Sequence, residues 1–89
     1  MKFRKKPAVI DAIQWTGDNQ EAVALFLGER LPRGVRFRIE ANRVAISAIV
    51  KGSLERCDFA YPGDWIIRGV QGELYPCRPD TFAATYEPA

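Results

Sequence analysis

The residues able to do chemistry in this sequence are few, and they lack their usual companions. Cys57 and Cys77 are the strongest nucleophiles available, yet the sequence contains no histidine. A Cys–His dyad therefore cannot form within one chain. Ser47 and Ser53 stand in no nucleophile-elbow context and lack a histidine base as well. Two cysteines without histidine fall short of an ordinary four-ligand zinc site. Cys77 precedes Arg78 at a predicted helix start, where dipole and guanidinium could depress a thiol pKa. The alternative is a half-buried structural thiol, which is the expected reading. Asp11, Glu40, Glu55, Asp58, Asp64, Glu73 and Asp80 supply carboxylates, but no spacing among them marks a general acid–base pair. Gly63, Gly69 and Gly72 could bring backbone amides near an anion. Their spacing matches neither a phosphate-binding loop nor a dinucleotide fingerprint, and turn formation accounts for them. The sequence thus indicates no enzyme, no cofactor and no metal.

Arginine is the other chemical resource. Arg30, Arg33, Arg36, Arg38 and Arg43 crowd the middle of the chain. Arg36 and Arg38 alternate with Val35, Phe37 and Ile39, so a strand would place both arginines on one face. Arg43, on the next strand, could join them. Such a stripe can grip phosphates or an acidic protein surface; it can also be merely the wet face of an amphipathic strand. Arg33, Arg36, Arg38 and Arg43 are the candidate partner-binding residues. Lys2, Arg4, Lys5 and Lys6 form a second basic cluster, which could guard an edge strand from unwanted pairing. The net charge of +2 is too small to imply nucleic acid by itself.

These residues need a frame. Ala8 to Trp15 reads as a strand with Val9, Ile13 and Trp15 on one face. Asp18 is the expected N-cap of a helix from Asn19 to Leu27, with Glu21 completing a capping box and Gly28 closing the helix. Val35–Glu40 and Val44–Ala48 form a predicted hairpin around Ala41-Asn42. Leu54–Phe59, Trp65–Arg68 and Glu73–Cys77 follow as strands. Pro62-Gly63 suits a type II turn, with Asp64 capping it. Pro79 can open a short helix through Phe82, and Thr85–Glu87 closes extended. The expected class is α+β: a mostly antiparallel sheet of about five or six strands, one main helix and a short C-terminal helical turn. Trp15, Phe26, Phe37, Trp65 and Phe82 are expected to share one core.

The 89 residues suffice for a single domain, residues 1–89. Two isolated cysteines fit a reducing, cytoplasmic setting better than a disulfide framework. No stretch approaches the roughly 18 apolar residues of a membrane span, and the basic start lacks the apolar region of a signal peptide.

Two stretches resemble a family of small bacteriophage and prophage proteins. The first is Met1-Lys2-Phe3-Arg4-Lys5-Lys6-Pro7 with Val9 to Asn19. The second is Pro62-Gly63-Asp64-Trp65-Ile66-Ile67, Gly69-Val70, Gly72-Glu73, Tyr75 to Asp80, Phe82 and Thr85-Tyr86-Glu87. The middle, roughly residues 30–59, departs from that pattern. The resemblance implies a phage or prophage origin and action inside the bacterial host. It implies no activity, cofactor or site residue. The expectation is a non-enzymatic accessory protein that binds a host protein stoichiometrically, such as a defence or regulatory factor. A nucleic-acid-binding sheet is one alternative; a small nucleotide pocket beside Trp65 and Tyr75 is another.

Overall fold

Alternation of Val35, Phe37 and Ile39 with Arg36, Arg38 and Glu40 does produce a strand. In the computed structural model, which describes residues 9–88, it is one of six. The elements are β1 (Asp11–Gln14), α1 (Gln20–Glu29), β2 (Val35–Glu40), β3 (Arg43–Val50), β4 (Ser53–Ala60), β5 (Trp65–Arg68), β6 (Leu74–Cys77) and α2 (Pro79–Thr85). Lys2, Arg4, Lys5, Lys6 and Ala8 lie outside the described residues. The class is α+β, and every strand pair is antiparallel.

The strands divide into two three-stranded sheets, ordered β1-β5-β6 and β2-β3-β4. The second is a meander from contiguous sequence. Two-residue turns at Ala41-Asn42 and Lys51-Gly52 join its strands, with a register shift between Ala48 and Ile49. The first sheet joins distant stretches: Asp11 opposes Arg68, and Gln14 opposes Trp65. Pro76 is tolerated in β6 because β6 is an edge strand, where a missing N–H need not break the ladder.

The turn Tyr61–Asp64 extends the β1–β5 ladder. Gly63 there has φ +97°, a conformation that suits glycine. Its N–H donates to the carbonyl of Trp15 at 2.6 Å, and the Trp15 N–H donates to the carbonyl of Asp64 at 2.9 Å. Asp64, 8% exposed, accepts from the Tyr61 N–H through Oδ2 at 2.9 Å, as expected of a turn cap.

One core lies between the sheets and α1. Trp15, Val23, Leu27, Val44, Ile46, Ala60, Ile66 and Leu74 are buried in it. Each large aliphatic side chain removed from water contributes about 1.5–3 kcal/mol. Phe26 and Phe37 pack against this cluster half-buried. Trp65 and Phe82 do not belong to it, contrary to expectation. On β5, Ile66 and Arg68 face the core, so the period of two turns Trp65 and Ile67 to the opposite face. There α2 supplies a second, smaller cluster: Trp65 stacks on Phe82 with centroids 4.1 Å apart, and Tyr86 follows at 5.1 Å.

The start of α1 also differs from the sequence reading. Asn19 is the N-cap, its carbonyl accepting from the Val23 N–H at 3.1 Å, and no side chain caps the helix. The polar side chains instead fold back onto the preceding turn. Asn19 Nδ2 donates to the Gln14 carbonyl at 2.8 Å, while Asp18 Oδ1 accepts from the Thr16 hydroxyl at 2.6 Å. Gly28 lies within the helix and does not close it; Arg30 is the C-cap. At the other end of the chain α2 runs to Thr85, one turn beyond Phe82, and Tyr86 is extended.

Candidate binding interface

The meander has an inner face on the core and an outer face to solvent. Antiparallel register fixes who stands beside whom on the outer face. Arg36 opposes Ser47, which opposes Cys57; Arg38 opposes Ala45, which opposes Phe59; Glu40 opposes Arg43. Three of the four expected partner-binding residues, Arg36, Arg38 and Arg43, therefore share one surface. Arg33 is exposed in the turn leading into β2, beyond the end of the stripe.

The face is electrostatically uneven. Glu40 forms ion pairs with both Arg38 and Arg43, each at 3.0 Å. Arg36 is exposed and has no ion-pair partner among the described residues. The Arg43 guanidinium lies 4.0 Å above the Phe59 ring centroid. Tyr61 and then the Glu40 carboxylate raise the Arg43 pKa above its ordinary value. Exposed ion pairs are worth only about 0–1 kcal/mol. Stability therefore does not require this arrangement.

Apolar and aromatic groups occupy the centre and one flank of the same face. Phe59 is half-buried, Tyr61 is 48% exposed and Leu54 is 64% exposed. Together with the arginines, Phe59 and Leu54 line a shallow groove of about 470 Å³. The sequence does not single out Phe59, Tyr61 or Leu54 as surface groups. The signal lay in parity: if Val44 and Ile46 face inward, Ala45 faces outward, and its β4 neighbour Phe59 must follow.

The two thiols are free. Cys57 is exposed on the outer face and accepts a long hydrogen bond from the Ser47 hydroxyl at 3.6 Å. Cys77 is half-buried, as expected of a structural thiol. Its pKa is raised, not depressed, first by burial and then by the charges of Asp64 and Asp80. Arg78 turns towards Asp80, 3.9 Å away. Among the described residues no cluster of three or more Cys, Asp or Glu side chains is placed to hold a metal ion.

The surroundings of Trp65 and Tyr75 are filled by the chain itself. Phe82 covers the indole, and the Tyr75 hydroxyl meets that of Tyr86 at 3.3 Å. A separate hollow of about 440 Å³ lies where the two sheets meet, floored by Val35, Ile46, Ala48 and Leu74 and rimmed by Glu55, Arg56 and Glu73. No helix among the described residues is long and apolar enough to cross a membrane. No protein-family model, curated protein or solved structure matches the chain.

Proposed function

We propose that this chain is a non-enzymatic binding module that engages an acidic surface of a partner protein through the outer face of β2-β3-β4. The observation that carries the reading is the convergence of Arg36, Arg38 and Arg43 around Phe59 on a face the core does not need. Interfaces favour this composition: aromatic groups and arginine at the centre, where planar guanidinium forks make several hydrogen bonds and stack on rings. The phage-like motifs at both ends of the sequence support a phage or prophage accessory factor, with a bacterial host protein as the partner and the host cytoplasm as the place of action.

A nucleic-acid reading draws on the same face, because Arg43 over Phe59 beside Tyr61 resembles a base-stacking platform. Glu40 weighs against it. Its carboxylate, 3.0 Å from both Arg38 and Arg43, already neutralises part of the stripe; a continuous phosphate backbone needs the whole stripe, whereas an acidic protein segment needs only the exposed Arg36 and Arg38. The overall charge of +2 supplies little further attraction.

The experiment is capture from bacterial lysate, with and without nuclease treatment, using wild type and Arg36→Glu/Arg38→Glu, after circular dichroism shows both folded. A protein held in near-equal amount by wild type and lost by the variant supports the reading. Retention of the same protein by both moves the interface elsewhere. A retained species that nuclease removes favours the nucleic-acid alternative.

A further inference from the structure

We propose that the partner is held by strand addition: an extended acidic segment pairs with the open edge of β2 and presents alternate carboxylates to Arg36 and Arg38. The inference rests on the outer-face reading and specifies how that face is engaged.

The backbone supplies the first half of the argument. β2 is a terminal strand of its sheet. The two-residue turn closes on Glu40 and Arg43, and the Gly34 carbonyl accepts from the Ile49 N–H at 2.7 Å. Hydrogen-bonded and non-bonded pairs alternate along an antiparallel ladder. Residues 34, 36, 38 and 40 thus spend their N–H and C=O groups on β3, while Val35, Phe37 and Ile39 direct theirs to the open edge. The Val35 N–H is taken by the Pro32 carbonyl at 3.0 Å. The N–H groups of Phe37 and Ile39, and the carbonyls of Val35, Phe37 and Ile39, have no backbone partner among the described residues. Among the described residues they form an unused ladder about five residues long. Partners recognised this way gain affinity from main-chain bonds and specificity from alternate side chains.

The side chains supply the second half. Arg36 and Arg38 flank this edge on the outer face, while Val35, Phe37 and Ile39 flank it on the inner face, only half-buried against the core. A strand laid alongside would put its own side chains about 4.5–5.5 Å from these. Its outward residues meet arginine, and its inward residues complete the cover over Phe37. The matching sequence alternates acidic with apolar residues. A second copy of this chain fits less well, because β2 carries Arg36 and Arg38 against the single Glu40, and pairing two such edges adds positive charge to positive charge.

The test uses the whole chain and a blocked heptapeptide alternating glutamate with valine, followed by NMR. Its lysine counterpart and versions N-methylated at alternate residues serve as controls. The glutamate peptide should slow hydrogen exchange at the amides of Phe37 and Ile39. Methylation of the pairing edge should abolish binding, and Arg36→Glu/Arg38→Glu should weaken it roughly tenfold or more. Binding that perturbs Arg36, Arg38 and Phe59 but leaves exchange at Phe37 and Ile39 unchanged overturns strand addition and leaves the outer-face reading standing. No perturbation anywhere on β2 or β3 overturns both. Protection of Phe37 and Ile39 in the chain alone, with sedimentation as a dimer, assigns the edge to self-pairing and overturns the proposal.

Discussion

The indole Nε1 of Trp15 donates to the backbone carbonyl of Asn42 across 2.9 Å, and this bond ties the two sheets together. Trp15 follows β1 and is wholly buried, while Asn42 lies in the tight turn between β2 and β3. Trp15→Phe keeps an aromatic ring but removes the donor and part of the volume. The expected cost is about 2 kcal/mol, combining one hydrogen bond with a partly filled cavity. Urea denaturation measures it. Hydrogen exchange at Arg43 should quicken in the variant, and an unchanged rate would show that the bond does not hold the turn.

Gly34 should be the least replaceable glycine of the β2-β3-β4 meander. Its φ is +82°, and an added Cβ would stand 2.5 Å from the Ile49 carbonyl oxygen, which is backbone and cannot step aside. Gly34→Ala should cost about 3 kcal/mol, from left-handed strain plus the clash. Gly52 provides the control. Its φ is +79° with nothing within 4 Å, so Gly52→Ala should cost only the strain, about 1–2 kcal/mol. Equal denaturation midpoints for the two variants would remove the clash from the account.

Alkaline pH should loosen the α2 side of the molecule. The hydrogen bond to Tyr86, then burial, pushes the Tyr75 hydroxyl up to about 12 from an ordinary 10.0. A raised folded pKa means the folded state keeps its proton where the unfolded state has lost it. Stability from this group is complete below pH 10 and falls as pH rises towards 12. Cys77, also raised, acts in the same direction. Melting temperature followed from pH 9 to 12 should fall less steeply in Tyr75→Phe than in wild type. Parallel curves would sink the assignment.

Arg68 closes α1 from a distance. It is 6% exposed, donates through Nη2 to the Phe26 carbonyl in the last turn of the helix, and lies 4.3 Å over the Phe26 ring. That turn has no basic residue of its own. A cation at a helix C-terminus satisfies orphan carbonyls and opposes the helix dipole. Its buried Nε has no hydrogen-bond partner among the described residues, which subtracts from the gain. Arg68→Ala should cost about 2 kcal/mol net. Exchange should increase at the amides of the last turn of α1; a loss spread evenly through the protein would argue for packing alone.

Much of this was legible in the sequence because strict alternation is hard to mistake. Val35 to Glu40 gave both the strand and the shared face of Arg36 and Arg38. Pro62-Gly63-Asp64 gave its turn, because few residue pairs suit a positive φ flanked by a capping carboxylate. The division into two sheets was not legible, since local periodicity specifies faces but not which distant strands meet. The separation of Trp65 from the main core followed from that same gap: a large aromatic is apolar on either side of a sheet. Asp18 was misread because an aspartate that bonds the previous turn looks, in sequence, like one that caps the next helix. The face chemistry of Phe59 was hidden by its type, which suits a core as well as a surface groove.

The pairing of β1 with β5 brings together residues such as Gln14 and Gly63, 49 positions apart, whereas β2, β3 and β4 are joined by two-residue turns. Loop-closure entropy makes the distant pairing slow and the local one fast. The meander should therefore organise first and offer its inner face as the surface on which β1 and β5 meet. Substitutions such as Ile46→Val should slow folding, while Ile66→Val should mainly hasten unfolding. Stopped-flow rates for the two variants measure the order of assembly. On that account the sheet carrying the proposed binding face is also the part of the molecule that folds earliest.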